Sequence, residues 1–185
     1  MIGQLPETVS INGRDVAINT DFRRALIVLQ AFADPELTNR ERAAIMLDAL
    51  IGLENVNPGE EQEALERCVW FIDCGHKFDQ NKPRKKLMDW EQDEQLIFSA
   101  VNHVAGTETR ALPYLHWWTF IGYFNEIHDG LFSTVLMIRQ KKAKGKKLEK
   151  SEREFYQQNK DMVDIKTKIS EEEQAEIDRL NEIYQ

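Results

Sequence analysis

The chain has 185 residues, 42% hydrophobic and 30% charged, a globular balance that excludes a disordered chain and suits one domain, or one domain with an appendage. Residues 1–140 carry the whole net charge of −8, with 21 acidic against 13 basic residues, while 141–185 balances at 11 of each; an acidic body repels phosphate backbones and argues against nucleic acid as the main partner. Cys68 and Cys74 make no disulfide framework, the start has no basic and apolar secretory pattern, and the most apolar stretch, 112–127, is interrupted by His116, Thr119, Asn125 and Glu126 and falls short of the ~20 residues of a membrane span, so a reducing cytoplasm is the expected setting.

Thr8–Ile11 and Arg14–Ile18 alternate polar and apolar residues around Asn12-Gly13, a pair suited to the positive φ angles of a type I′ turn, and predict a β-hairpin. The rest reads as helical. Asn19 or Thr20 is the expected cap of a first helix with Phe22, Leu26, Leu29 and Ala33 on one face, ended by Pro35. Thr38 and Glu41 form a capping box for a second helix, apolar nearly all round and so expected to be buried, stopping at Gly52. Asn57-Pro58 opens a third with the stripe Leu65, Cys68, Val69 and Ile72, and a stop at Gly75. A basic loop spans His76–Asp89. Asp89 then caps a helix with Trp90, Ile97, Val101 and Val104 in phase, ending at Gly106.

An aromatic helix is predicted from Pro113 to Ile127. Seven of the 17 aromatic residues fall within 112–132, which marks this segment as the organiser of the core. By phase, Trp118 is the expected core residue, and Trp117 is left open between core and partner surface. A further helix runs from Leu131 to about Arg139. Lys141–Lys147 reads as a solvated basic linker, followed by two thin amphipathic stripes: Phe155, Met162 and Val163 behind a Ser151 cap, then Ile177, Leu180 and Tyr184 behind a Ser170 cap. These could dock on the body, pair together or bind a partner.

Catalytic patterns are missing. Cys68, Cys74 and His76 do not have zinc-site spacing, and the 9 glycines are scattered, with no phosphate-cradling loop or nucleophile elbow. His103 and His116 could in principle meet Glu108 or Asp93, and the acids of 89–94 could serve acid–base chemistry. A hydrogen-bonded core histidine and acids at a helix start explain these residues more simply. His128 beside Asp129 reads as a turn residue. The lysines of 141–150 have no interleaved aromatics for stacking on single strands.

Three segments, Ile18-Asn19-Thr20-Asp21-Phe22-Arg23, Asp89-Trp90-Glu91-Gln92-Asp93 through Leu96-Ile97-Phe98-Ser99-Ala100, and Leu115-His116-Trp117-Trp118-Thr119-Phe120, carry a likeness in order and spacing. Over roughly 5–160 the chain resembles the bacteriophage "gene product fifteen" family, tail-region proteins of long-tailed phages and prophages of Gram-positive bacteria. The family pattern commonly has a basic residue after the Trp-Trp pair and another two positions on; here Thr119 and Ile121 stand there.

The resemblance implies a tail-assembly accessory protein, best a chaperone that covers the tape-measure protein until tail-tube protein displaces it, acting in the host cell cytoplasm and without catalysis. The implied partners are the tape-measure protein and other tail proteins, with self-association open; no membrane, metal or cofactor belongs to the picture. A structural tail component kept in the virion is the alternative, and a nucleic-acid accessory protein a weaker one. The expected fold is mainly α, a helical domain preceded by a short N-terminal β-hairpin (1–140), with a basic linker and C-terminal amphipathic helices (141–185). Trp117, Phe120, Tyr123, Ile177, Leu180 and Tyr184 are the expected partner contacts.

Overall fold

A computed structural model of the chain describes residues 2–76, 85–166, 170 and 174–179. It is mainly helical and opens with the expected hairpin. Strands β1 (Thr8–Ile11) and β2 (Arg14–Ala17) pair antiparallel with Val9 opposite Val16. Asn12 (φ 49°) and Gly13 (φ 73°) supply the two left-handed turn residues. Val9, Ile11 and Val16 face the core, while Ser10 and Asp15 face water. The turn is tied down from outside: the Arg14 guanidinium meets the Glu60 carboxylate at 2.6 Å, and the Asn12 backbone N–H donates to Glu63 at 3.0 Å.

The α-helices that follow include α1 (Phe22–Ala33), α2 (Asn39–Ile51), α3 (Glu61–Ile72), α4 (Glu94–Ala105), α5 (Trp117–Asn125), α6 (Leu131–Ala143), α7 (Lys150–Gln158) and α8 (Lys160–Val163). A further helical stretch covers 174–179. Among the described residues, no helix is long and apolar enough to cross a membrane. One apolar core joins the hairpin to α1–α5 and the start of α6. At its centre Phe22 stacks on Phe120 with ring centroids 4.8 Å apart, flanked by Phe98, Trp90 and Trp117.

Several helix starts and faces differ from expectation. Asp21 caps α1, accepting the Arg23 N–H at 2.9 Å. Thr20 is occupied elsewhere, its hydroxyl bonded to the Tyr114 hydroxyl at 2.6 Å. The buried face of α1 is Phe22, Ala25, Val28 and Ala31, with Leu26 and Leu29 half-buried beside it. Helix α2 has the expected capping box and Gly52 stop, but only its second half, from Met46 on, is buried. Helix α3 begins at Glu61, because Gly59 (φ 89°) turns the chain after Pro58. Its core side is Ala64, Cys68 and Phe71, leaving Val69 exposed.

Asp89 caps a turn ahead of α4, accepting from the Glu91 and Gln92 N–H groups, and α4 itself starts at Glu94 behind Asp93. Helix α5 starts at Trp117, four residues after Pro113, because the chain is extended at His116, which bridges to Asp21. Helix α6 runs on to Ala143 and takes in Lys141 and Lys142. Helix α7 uses a Glu149–Glu152 capping box in place of Ser151 and Glu154.

The first C-terminal stripe docks on α6: Val163 is fully buried against Val135 and Ile138, with Phe155 and Met162 packed around them. Helix α6 thus crosses the expected 140/141 boundary. Arg139 locks the arrangement from inside. It meets both Asp93 oxygens, at 2.6 and 2.8 Å, and donates to the carbonyls of Val163 and Met162 at the end of α8.

Candidate functional site

The three segments that carry the family likeness meet in space and clasp the fold. The Phe22 N–H donates to the Leu115 carbonyl at 3.0 Å, and the Trp117 N–H to the Thr20 carbonyl at 2.7 Å. This short two-stranded bridge starts α1 and α5 side by side, one capped by Asp21 and the other by His116. His116 is buried. Its Nδ1 accepts the Trp118 N–H at 3.0 Å, so the ring proton sits on Nε2 and is donated to the Pro6 carbonyl at 3.0 Å. Trp90, from the second segment, packs against Trp117 and Phe124.

The paired tryptophans finish α3. A helix leaves its last carbonyls without intrahelical donors. In α3 the Val69 and Trp70 carbonyls are closed locally by the N–H groups of Asp73 and Gly75. The next two are closed by the indoles, Trp118 Nε1 donating to Phe71 and Trp117 Nε1 to Ile72, both at 2.9 Å. Trp117, left open by phase, is the core residue, and Trp118, expected in the core, packs at its edge. Trp117 is 1% exposed, whereas Trp118 is half-buried against Trp70 and Phe71. The extended start of α5 rotates the helix relative to the register that a Pro113 start implies.

This placement bears on the expected partner contacts. Trp117 and Phe120 are core residues and offer no surface as folded. Tyr123 is half-buried, and Ile177 is 41% exposed on the 174–179 helix. Leu180 and Tyr184 lie outside the described residues, as do Lys77, Lys82, Pro83 and Arg84 of the basic loop.

Most of the candidate chemical groups are dispersed into structural roles, and His103 stands exposed on α4. His116 is a cap, Asp93 serves Arg139, and Glu108 pairs with Arg110 at 2.8 Å. The Glu108 carboxyl is held down at about 2 by its hydrogen bond to the Arg110 guanidinium. Burial pushes the Cys68 thiol up to about 12, and burial together with Asp73 pushes Cys74 up to about 11, so neither is an available thiolate. No cluster of three metal-ligating side chains occurs among the described residues. Lys141 and Lys142 pair with Glu152 and Asp164 and pin α7 and α8, a part the solvated-linker reading did not give them.

Among the described residues, a groove of about 590 Å³ opens between α4 and the α5–α6 connection. One wall is Leu96, Ser99, Ala100, His103 and Val104, at the i, i+3, i+4, i+7, i+8 spacing of a single helix face. The other wall runs from Glu126 to Phe132. Small side chains at Ser99 and Ala100 keep the middle open. Leu131 stays 45% exposed at the edge. This second face of α4 is legible in its spacing. The core stripe of Ile97 and Val101 obscured it, because one short helix carries two faces. A smaller cleft of about 260 Å³ lies over the clasp, lined by Phe22, Arg23, Trp90 and Arg110. Its arginines are engaged within the protein, Arg23 with Asp21 and the Leu112 carbonyl, Arg110 with Glu108.

Residues 1–165 match the family model described as bacteriophage Gp15 protein, which sets the chain among phage-associated proteins. The chain belongs to the bacteriophage Gp15 family. No curated protein and no solved structure matches it.

Proposed function

We propose that this protein is a phage tail-assembly accessory protein that chaperones the tape-measure protein in the host cytoplasm, acting by binding and not by catalysis. The observation that carries the reading is the preformed apolar groove along α4, on a protein whose candidate groups His116, Asp93 and Glu108 are spent on capping and ion pairs. A long helical protein with apolar stripes needs temporary cover before assembly. A groove walled by one helix face receives such a stripe in the helix-in-groove manner. The acidic net charge of −8 favours solubility in a protein held ready in excess.

The test is co-expression with the tape-measure protein of the same tail cluster. Stoichiometric co-purification, lost on Ser99→Trp, is the expected result; Ser99 is exposed, so the indole fills the groove without entering the core. A tape-measure protein that stays insoluble and unbound beside well-folded wild-type protein refutes the proposal.

A further inference from the structure

The groove's dimensions and charge specify its occupant further. Leu96 to Val104 spans eight residue steps, about 12 Å at ~1.5 Å per residue. A helix lying along this face is therefore engaged over about two turns, with apolar side chains at i, i+3 or i+4, and i+7. Ser99 and Ala100, in mid-face, let its backbone come close.

The charge is one-sided. Of the twelve lining residues, Glu126 and Asp129 are carboxylates, His103 and His128 are imidazoles, and none is lysine or arginine. Glu126 faces His128 at 3.4 Å, and both are well exposed. The lining also reaches the last turn of α4 at Val104 and the end of α5 at Glu126, where helix ends carry partial negative charge; the first turn of α6 is the one contribution of opposite sign.

We propose that this groove selects an amphipathic partner helix whose apolar stripe is flanked by lysines or arginines. The proposal rests on the reading of the groove as the binding surface and adds which segment of a long helical partner is chosen. Stripes with acidic flanks are rejected by like charge.

Two fluorescein-labelled synthetic helical peptides test it against the full-length protein by anisotropy. They share the same leucine stripe and differ only in carrying lysines or glutamates on the flanks. The lysine peptide is expected to bind roughly fivefold to thirtyfold more tightly, with the gap closing at high salt. The double variant Glu126→Lys, Asp129→Lys inverts the preference, and Ser99→Trp abolishes binding of both peptides. Both carboxylates are exposed, so an unchanged melting temperature accompanies the inversion.

Equal affinity for the two peptides, no binding of either, or a preference the double variant does not move overturns the proposal. Failure of the chaperone reading looks different: the tape-measure protein fails to co-purify while the peptide preference and its inversion persist.

Discussion

Removing the indole N–H of Trp117 should cost much more than removing that of Trp118, although the two residues are adjacent and make bonds of the same length. In Trp117→Phe the Ile72 carbonyl keeps only a weak contact from the Cys74 thiol at 3.9 Å. An under-satisfied buried acceptor costs about 1–3 kcal/mol. The smaller ring in a site that is 1% exposed adds about 1–2 kcal/mol of cavity and lost contact, giving about 2–5 kcal/mol in all. In Trp118→Phe the Phe71 carbonyl keeps the Cys74 N–H at 3.1 Å, and the half-buried ring lets water approach, so the loss is about 1 kcal/mol. Urea unfolding followed by far-ultraviolet circular dichroism measures both, with the m-value required to stay constant. A Trp118→Phe loss equal to or greater than that of Trp117→Phe refutes the assignment of Trp117 as the buried cap of α3.

Asp93→Asn leaves Arg139 buried without its counter-charge and should destabilise by about 3–5 kcal/mol; hydrogen exchange should rise first around Met162 and Val163, whose carbonyls Arg139 holds. Arg14 and the other donors around Glu60 hold that carboxyl down at about 2 against an ordinary 4.5. Its folded pKa is lowered, so its stabilisation is full above about 4.5 and is lost as pH falls from about 4.5 to about 2; acid titration of unfolding should show this loss in the wild type and a shallower one in Glu60→Gln. Gly75→Ala places a Cβ at φ 77° and 3.4 Å from the Trp118 ring, and should lower stability by about 1–2 kcal/mol in the same urea assay. Mass spectrometry of purified phage particles should find tail-tube and tape-measure proteins without this one; its stoichiometric presence would make it a retained tail component.

The hairpin, the second helix with its capping box and the glycine stops at 52 and 106 were legible because their signals are local: a turn dipeptide, a reciprocal cap, a residue free to take positive φ. The errors fell where a long-range bond outcompeted a local one. Thr20 is a good cap by type, but its hydroxyl is taken by Tyr114, 94 residues away. Pro113 is a good helix opener, but the next residues pair with 20–22. Both displacements belong to the clasp, which no window of single-chain periodicity contains. The groove was hidden for another reason. The i, i+3, i+4 rule finds the most apolar face, and on α4 that face is the core, so Val104 counts with the stripe of Ile97 and Val101, and its place beside Leu96, Ser99, Ala100 and His103 on a second face does not stand out.

The clasp also sets what the family likeness can mean. Phe22, Trp117 and Phe120 are buried, His116 and Asp21 spend their side chains on helix caps, and both indoles close α3. The segments that identify the family therefore report how the chain folds, and a protein that keeps them could bind differently. Thr119 and Ile121, standing where the family pattern carries basic residues, are half-buried on α5 and add no charge to an open face. On the proposed reading, discrimination between partners falls to the groove, whose first wall, 96–104, begins in the second family segment and runs past it, and whose other wall, 126–132, lies outside all three. The first wall is held by the clasped core from its inner face. Ile97 and Val101 of α4 face the core, Ser99 and His103 face out, and the backbone between them fixes the groove wall to the clasped core. Rigid placement of that wall spares the binding step the entropy of ordering it. Exchanging Glu126 and Asp129 for lysine should therefore alter which helix is held while leaving urea unfolding unchanged, whereas Trp117→Phe should lower stability without altering charge preference in the molecules that remain folded.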